Sequence, residues 1–236
     1  MYLPGMEPIR RARRPRPLPV ISGRELDAAD ARLLESLAAT SAEAARRAGP
    51  RLVCRPGCAE CCVGPFPITS LDARRLRLGL AELGRRDPER ASRVRDRARA
   101  AAAALADRFP GDPASGSLDD DEPALDEFLL RHQALPCPAL DPATFRCDLY
   151  DARPVTCRTY GPPVRFGEER AAPCRLCFQG APPEEVERCR VEPDPRRIED
   201  ALLAALARSG VEGGETLVAF ALALDGGASG GGGEAA

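Results

Sequence analysis

The chain has no tryptophan, no lysine and no asparagine, and its single histidine is His132. Without tryptophan, and with only seven Phe and three Tyr in 236 residues, the core has to be built from Leu, Val and Ala. Such a lean core gains from a cross-link or a bound metal. Missing lysine and asparagine are what a coding sequence poor in A-rich codons produces, so the number of arginines says little about function. One histidine excludes zinc sites built on two or three imidazoles. No run reaches the roughly 18 apolar residues of a membrane helix, and Met1 to Val20 carries charge and proline where a signal peptide needs an apolar stretch. A cytoplasmic protein away from membranes is the expectation. Acidic and basic residues are interleaved to a formal net charge of −2, which argues against a general nucleic-acid surface. There is also no Gly-rich phosphate loop, HExxH motif or Ser/His/Asp arrangement to name a substrate.

What the chain does have is ten cysteines, four of them in the nine residues Cys54-Arg55-Pro56-Gly57-Cys58-Ala59-Glu60-Cys61-Cys62. Cysteines used only as small apolar core residues are interchangeable with alanine or valine and would be scattered. Clustering points to a shared ligand, and in a reducing compartment to thiolates on metal in preference to disulfides. If Pro56 opens a helix, Cys58, Cys61 and Cys62 fall at i, i+3 and i+4 on one face. Cys54 would then sit at the helix N-terminus, where a thiolate is favoured.

Around this cluster the pattern is mainly helical. Residues 1–21 are proline-rich and basic, and are expected to be a disordered leader. The spacing Leu26, Ala29, Leu33, Leu37 predicts a helix from Arg24 to Arg47. An extended stretch from Val63 to Ile68 precedes a helix capped by Thr69 or Ser70. Another helix runs from Pro88 to about Phe109, with one arginine-rich face. Pro110 to Glu122 reads as an acidic loop lacking the spacing of a calcium site, and Ala124 to Arg131 as a short helix. Further helices are expected from Pro183, over Pro195 to Arg208 and over Glu215 to Leu224. Residues 225–236 form a Gly-rich tail, leaving 22–224 as a single domain.

Cys137, Cys147 and Cys157 recur every ten residues, and Asp141-Pro142 supplies a turn for a small hairpin. A looser third group is Cys174-x2-Cys177 and Cys189. Soft thiolates select zinc, copper(I) or iron–sulfur clusters. The charge of a four-thiolate centre calls for nearby donors, for which Arg55, Arg153 and Arg158 are placed in sequence, with Tyr150 beside them. The spacing Cys54-x3-Cys58-x2-Cys61 matches the cluster motif of radical S-adenosylmethionine enzymes, but the helix and strand alternation of their barrel is missing.

Both blocks resemble the YkgJ-type cysteine-cluster family, whose domain is described as zinc- or iron-chelating. The resemblance is carried by Cys54-x3-Cys58-x2-Cys61-Cys62 with Pro67-Ile68-Thr69 and Asp72. The second block adds Cys137-Pro138-x-Leu140 and Cys147-x2-Tyr150-x2-Arg153-Pro154-x2-Cys157-Arg158, within signature segments 54–69 and 137–160. It implies Cys54, Cys58, Cys61, Cys62, Cys137, Cys147 and Cys157 as metal ligands; Cys174, Cys177 and Cys189, beyond its two blocks, are second-tier candidates. Related modules in proteins similar to flagellin lysine methylases are associated with an iron–sulfur cluster, which implies such a cluster, 4Fe–4S foremost, ahead of zinc. The expected fold is a mainly α, irregular cysteine-rich domain with a small hairpin region, pinned by a metal centre joining 54–62 with 137–157. Structural, electron-transfer and metal-handling roles are expected. A cluster-dependent methyltransferase or oxidoreductase and a zinc-stabilised module for a protein partner are the alternatives.

Overall fold

The computed structural model describes residues 23–209 and 214–224. The basic leader at 1–21 and the Gly-rich tail at 225–236 lie outside the described residues. Helix α1 spans Gly23–Ala48 and buries Leu26, Leu33 and Leu37 along one stripe. It stops where Gly49 takes a left-handed φ of 52° and Pro50 cannot continue the ladder.

Strand β1 (Pro67–Thr69) leads into α2 (Ser70–Arg86), whose first turn is capped by Thr69 accepting from the Asp72 N–H. Asp87 then caps α3 (Pro88–Leu105) by accepting from the Arg90 N–H, with Pro88 in the first turn, where its missing donor does no harm. A short hairpin, β2 (Gly111–Asp112) with β3 (Ser117–Leu118), precedes α4 (Glu122–Arg131), capped by Asp121. Part of the acidic run therefore serves as caps and turn acceptors.

The remaining elements are short: β4 (Leu140–Asp141), β5 (Arg146–Cys147), α5 (Val155–Thr159), β6 (Val164–Phe166), β7 (Glu169–Ala171), α6 (Pro183–Arg188), α7 (Ile198–Arg208), β8 (Glu215–Leu217) and α8 (Val218–Ala223). The domain is mainly α, as expected. Helices α2, α3 and α8 pack on one another through Leu76, Leu80, Val94, Ala98, Ala221 and Leu222. Alanines at the crossing let the axes approach where larger side chains are lacking. Each leucine buried like Leu76 contributes roughly 1.5–3 kcal/mol. A second layer joins α1, α7 and α5 through Leu33, Leu37, Leu202, Leu206 and Val155.

Two local expectations are corrected. The helix from Pro88 ends at Leu105, and after Arg108 adopts a left-handed φ of 54° Phe109 turns in against Phe128 and Phe220. Glu215–Leu217 is a strand, not the start of a helix, because β1 offers it an edge, with Ile68 opposite Thr216. The hairpin β6–β7, turning at Gly167 with φ 60°, was not foreseen, since its mostly exposed strands lack apolar alternation.

A buried ionic network ties these layers to the cysteine region. Arg75, 5 % exposed, donates to Asp30 of α1, Asp72 of its own helix and Glu199 of α7. Asp72 in turn accepts the Val155 N–H at 3.1 Å, fixing the start of α5. Close packing does the same nearby: a Cβ on Gly79 of α2 would stand 2.3 Å from that of Ala152.

Candidate metal centre

The cysteine-rich run after α1 is not helical at Pro56. Arg55-Pro56-Gly57-Cys58 is a turn in which the Cys58 N–H donates to the Arg55 carbonyl at 3.0 Å and Gly57 has φ 89°. Pro at the second position and Gly at the third are what a type II turn requires, so Pro-Gly outcompetes helix nucleation. A single 3-10 turn, Glu60–Cys62, follows. Cys58, Cys61 and Cys62 therefore do not share one helical face.

The two blocks meet through their backbones. The Cys137 N–H donates to the Cys62 carbonyl at 2.8 Å and the Gly64 N–H to the Leu135 carbonyl at 2.8 Å, with Val63 bridged to Pro136. From there the β4–β5 hairpin sets Cys147 opposite Leu140, and α5 brings in Cys157. All seven cysteines expected as ligands line one open cavity of about 520 Å³, and Cys174 joins them. Cys177 and Cys189 are buried in an apolar cluster with Cys174, Phe178 and Ala48. All ten thiols are free.

The charges around each thiol divide them into two neighbourhoods. Cys61 is drawn down to about 6, first by the Cys62 S–H donating to its sulfur and also by Arg153, against burial. The same bond, with burial and the thiols of Cys61, Cys137 and Cys147, pushes Cys62 up. Burial raises Cys137, up to about 12, together with Cys147 and Cys157, and each feels the others or Cys61. Cys54, on the same cavity, has different neighbours. Burial raises it to about 12, followed by Cys177, Cys174 and Cys58.

Backbone donors are already aimed at several sulfurs. Ala139 and Leu140 donate to Cys137, Leu149 to Cys147 and Leu176 to Cys174. N–H groups two or three residues beyond a cysteine offset the negative charge of a bound thiolate. Arg153 lies 3.4 Å over the Tyr150 ring and donates to the Tyr150 carbonyl at 2.8 Å. Arg153, Tyr150 and Arg55 line the cavity. Arg158 does not; it donates to the carbonyls of Arg153 and Asp151 and braces the loop. His132 also stands apart, its ring 4.6 Å from Phe128.

The residues that hold the cysteine loops were missed in the sequence. Asp148, whose side chain is 2 % exposed, accepts from Arg90 at 2.6 Å and Arg97 at 2.5 Å. Arg97 also donates to the Pro138 carbonyl at 2.8 Å. The arginine face of α3 thus clamps the loops beside Cys137 and Cys147 and is not a nucleic-acid surface at these positions. The seven-residue spacing of Arg90 and Arg97, which places both on one helix face, was the available signal.

A family model described as "CxxCxxCC: putative zinc- or iron-chelating domain" matches residues 53–177, more than half of the chain. The chain belongs to the CxxCxxCC family. No curated protein and no solved structure matches it. The match takes in both cysteine blocks and runs on to Cys177. The donor set of this CxxCxxCC domain fits a soft metal: the thiols face one cavity, and Glu60 is engaged by Arg175. Among the described residues, no three His, Cys, Asp or Glu side chains already stand close enough together to hold one ion, so binding requires the thiols to close in. No described helix is long and apolar enough to cross a membrane.

Proposed function

We propose that the cavity houses a thiolate-bound iron–sulfur centre, 4Fe–4S in type, in a cytoplasmic protein whose role is structural, electron-transferring or metal-handling. One observation carries this reading: Cys61, Cys62, Cys137, Cys147 and Cys157 come from three separate segments and face one cavity beside Arg153. Such a centre supplies one-electron chemistry when bound. Cys61 provides a sulfur already inclined to ionise, Arg153 offsets negative charge, and the backbone donors orient Cys137 and Cys147. Cys62, held as a thiol by Cys61, completes the set or replaces one of the others.

The cavity mouth supports access from outside. Phe145 and Tyr150 are 55 % and 58 % exposed at its rim, next to Arg55 and Arg146. Its volume, about 520 Å³, lies within the range of small-molecule sites, which is the observation favouring a cluster-dependent enzyme as a second reading. Anaerobic purification with iron, acid-labile sulfide and zinc analysis tests the proposal. Brown protein with iron and sulfide in similar amounts is expected. Colourless protein carrying zinc alone would refute the cluster and favour a zinc-stabilised interaction module.

A further inference from the structure

We propose that the mouth of the cavity binds a small planar anion, an aromatic ring carrying a carboxylate or a phosphate, stacked on Phe145 and held by Arg55 and Arg146. The inference rests on the reading that the cavity is entered from outside, and not on which metal its thiols hold.

Phe145 is the observation that carries it. At the tip of the β4–β5 hairpin this residue takes a left-handed φ of 54°, which glycine adopts freely and a bulky side chain does not. The turn is fixed from within. The Phe145 N–H donates to the Asp141 carbonyl at 2.9 Å, and the Asp141 carboxylate accepts the Ala143 N–H at 3.1 Å and the Thr144 hydroxyl at 2.6 Å. Core packing does not explain a phenylalanine there, since Phe145 is 55 % exposed and lines the cavity. Backbone strain of this kind is a feature of ligand clamps.

Charge selects the other half of the ligand. The cavity is lined by Arg55, Arg90, Arg146 and Arg153, with Glu60 as its one carboxylate. Glu60 is engaged by Arg175 at 2.8 Å and Arg90 by Asp148 at 2.6 Å. Among the described residues, no carboxylate pairs with Arg55, Arg146 or Arg153. Arg153 lies over Tyr150 and its charge is felt by the thiols of Cys61, Cys147 and Cys157, which leaves Arg55 and Arg146 for a ligand. Their guanidinium forks match the oxygens of a carboxylate or phosphate. Tyr150, oriented by Arg153, widens the stacking surface, and about 520 Å³ admits a molecule of mononucleotide size.

The test is calorimetric titration of the full chain, isolated anaerobically with its iron, sulfide and zinc counted. Adenosine monophosphate and indoleacetate probe the two anions, adenosine and indoleacetamide are their neutral counterparts, and ribose phosphate is an anion without the ring. At least one aromatic anion should bind, about tenfold or more tighter than its neutral counterpart. Arg146→Gln should lose most of that preference. Phe145→Gly should bind about fivefold or more weaker while melting at or above the parent temperature, because glycine relieves the turn. The inference is overturned if neither anion binds, if the neutral rings or ribose phosphate bind as tightly, or if Phe145→Gly keeps its affinity or melts well below the parent. Binding of poly-L-glutamate in place of both small anions would mark a protein-docking surface and also overturn it. Anion binding to protein without iron or sulfide would uphold the site and remove the cluster reading; brown protein with both that binds neither anion would do the reverse.

Discussion

Replacing Asp148 with alanine removes the one carboxylate on which Arg90 and Arg97 converge beside Cys147. Deleting one partner of a fully buried ion pair costs about 3–5 kcal/mol, and exposed pairs contribute below about 1 kcal/mol. Here the carboxylate is 2 % exposed, but Arg90 and Arg97 are 39 % and 25 % exposed, so water screens both cations after the deletion. An intermediate cost of about 2 kcal/mol follows, or roughly 4–8 °C in melting temperature for a domain of this size. The assay is thermal unfolding of the isolated holoprotein, with alkylation of Cys147 as a local readout. Faster labelling of Cys147 is expected, since its neighbour no longer anchors the hairpin to α3. Adding Arg97→Ala to Asp148→Ala should cost less than Arg97→Ala alone, because the two share one interaction. If Asp148→Ala melts within about 1 °C of the parent and Cys147 labels at the parent rate, the clamp has no energetic role and the reasoning is wrong.

Gly161→Ala should be destabilising by roughly 1–3 kcal/mol, because φ is 133° and the added methyl would meet the Cys54 sulfur; chemical denaturation measures the loss. Glu199 gives a pH dependence. Burial and the Asp72 charge raise its carboxyl to about 7 despite Arg75. The folded chain therefore keeps a proton that the unfolded chain releases from about pH 4.5. This contribution to stability is full below about 4.5 and lost as pH rises through about 7, a change of up to about 3 kcal/mol. Urea midpoints at pH 5 and 8 should move together in Glu199→Gln, while the parent falls between them. In metal-free protein, alkylation of Cys61 should remain fast at neutral pH and slow as pH drops through about 6; ordinary thiol behaviour, slowing well above pH 7, would contradict its contact with Cys62. Stripping the metal from the main cavity removes a cross-link between Cys62 and Cys137, a loop worth roughly 4 kcal/mol of chain entropy. Circular dichroism should show a large drop in melting temperature, and an unchanged melt would mean that the loops hold without it.

Local chemistry written into neighbouring residues was legible without coordinates. The stripe Leu26, Leu33, Leu37 placed α1 to within a residue at each end, Thr69 and Pro88 marked helix starts, and the Asp141 turn produced the β4–β5 hairpin. These features depend on side-chain period and on hydrogen bonds spanning three or four residues, so one stretch of chain contains all the parties. Pro56-Gly57 was equally local, yet its turn signal was outweighed by the attraction of a helical cysteine face. Long-range partnerships were decided only by the tertiary structure. Strand β8 exists because β1 offers an edge far away in sequence, and Asp148 is buried because α3 brings two arginines to it. The cysteine count and spacing pointed to a shared soft-metal ligand set, and the two motif blocks carried the resemblance that the family match bears out. That cysteines so far apart in the chain line one cavity follows from backbone contacts such as Cys62 to Cys137 and Gly161 to Cys174, which bring together residues whose separation along the chain carries no information about their distance in space.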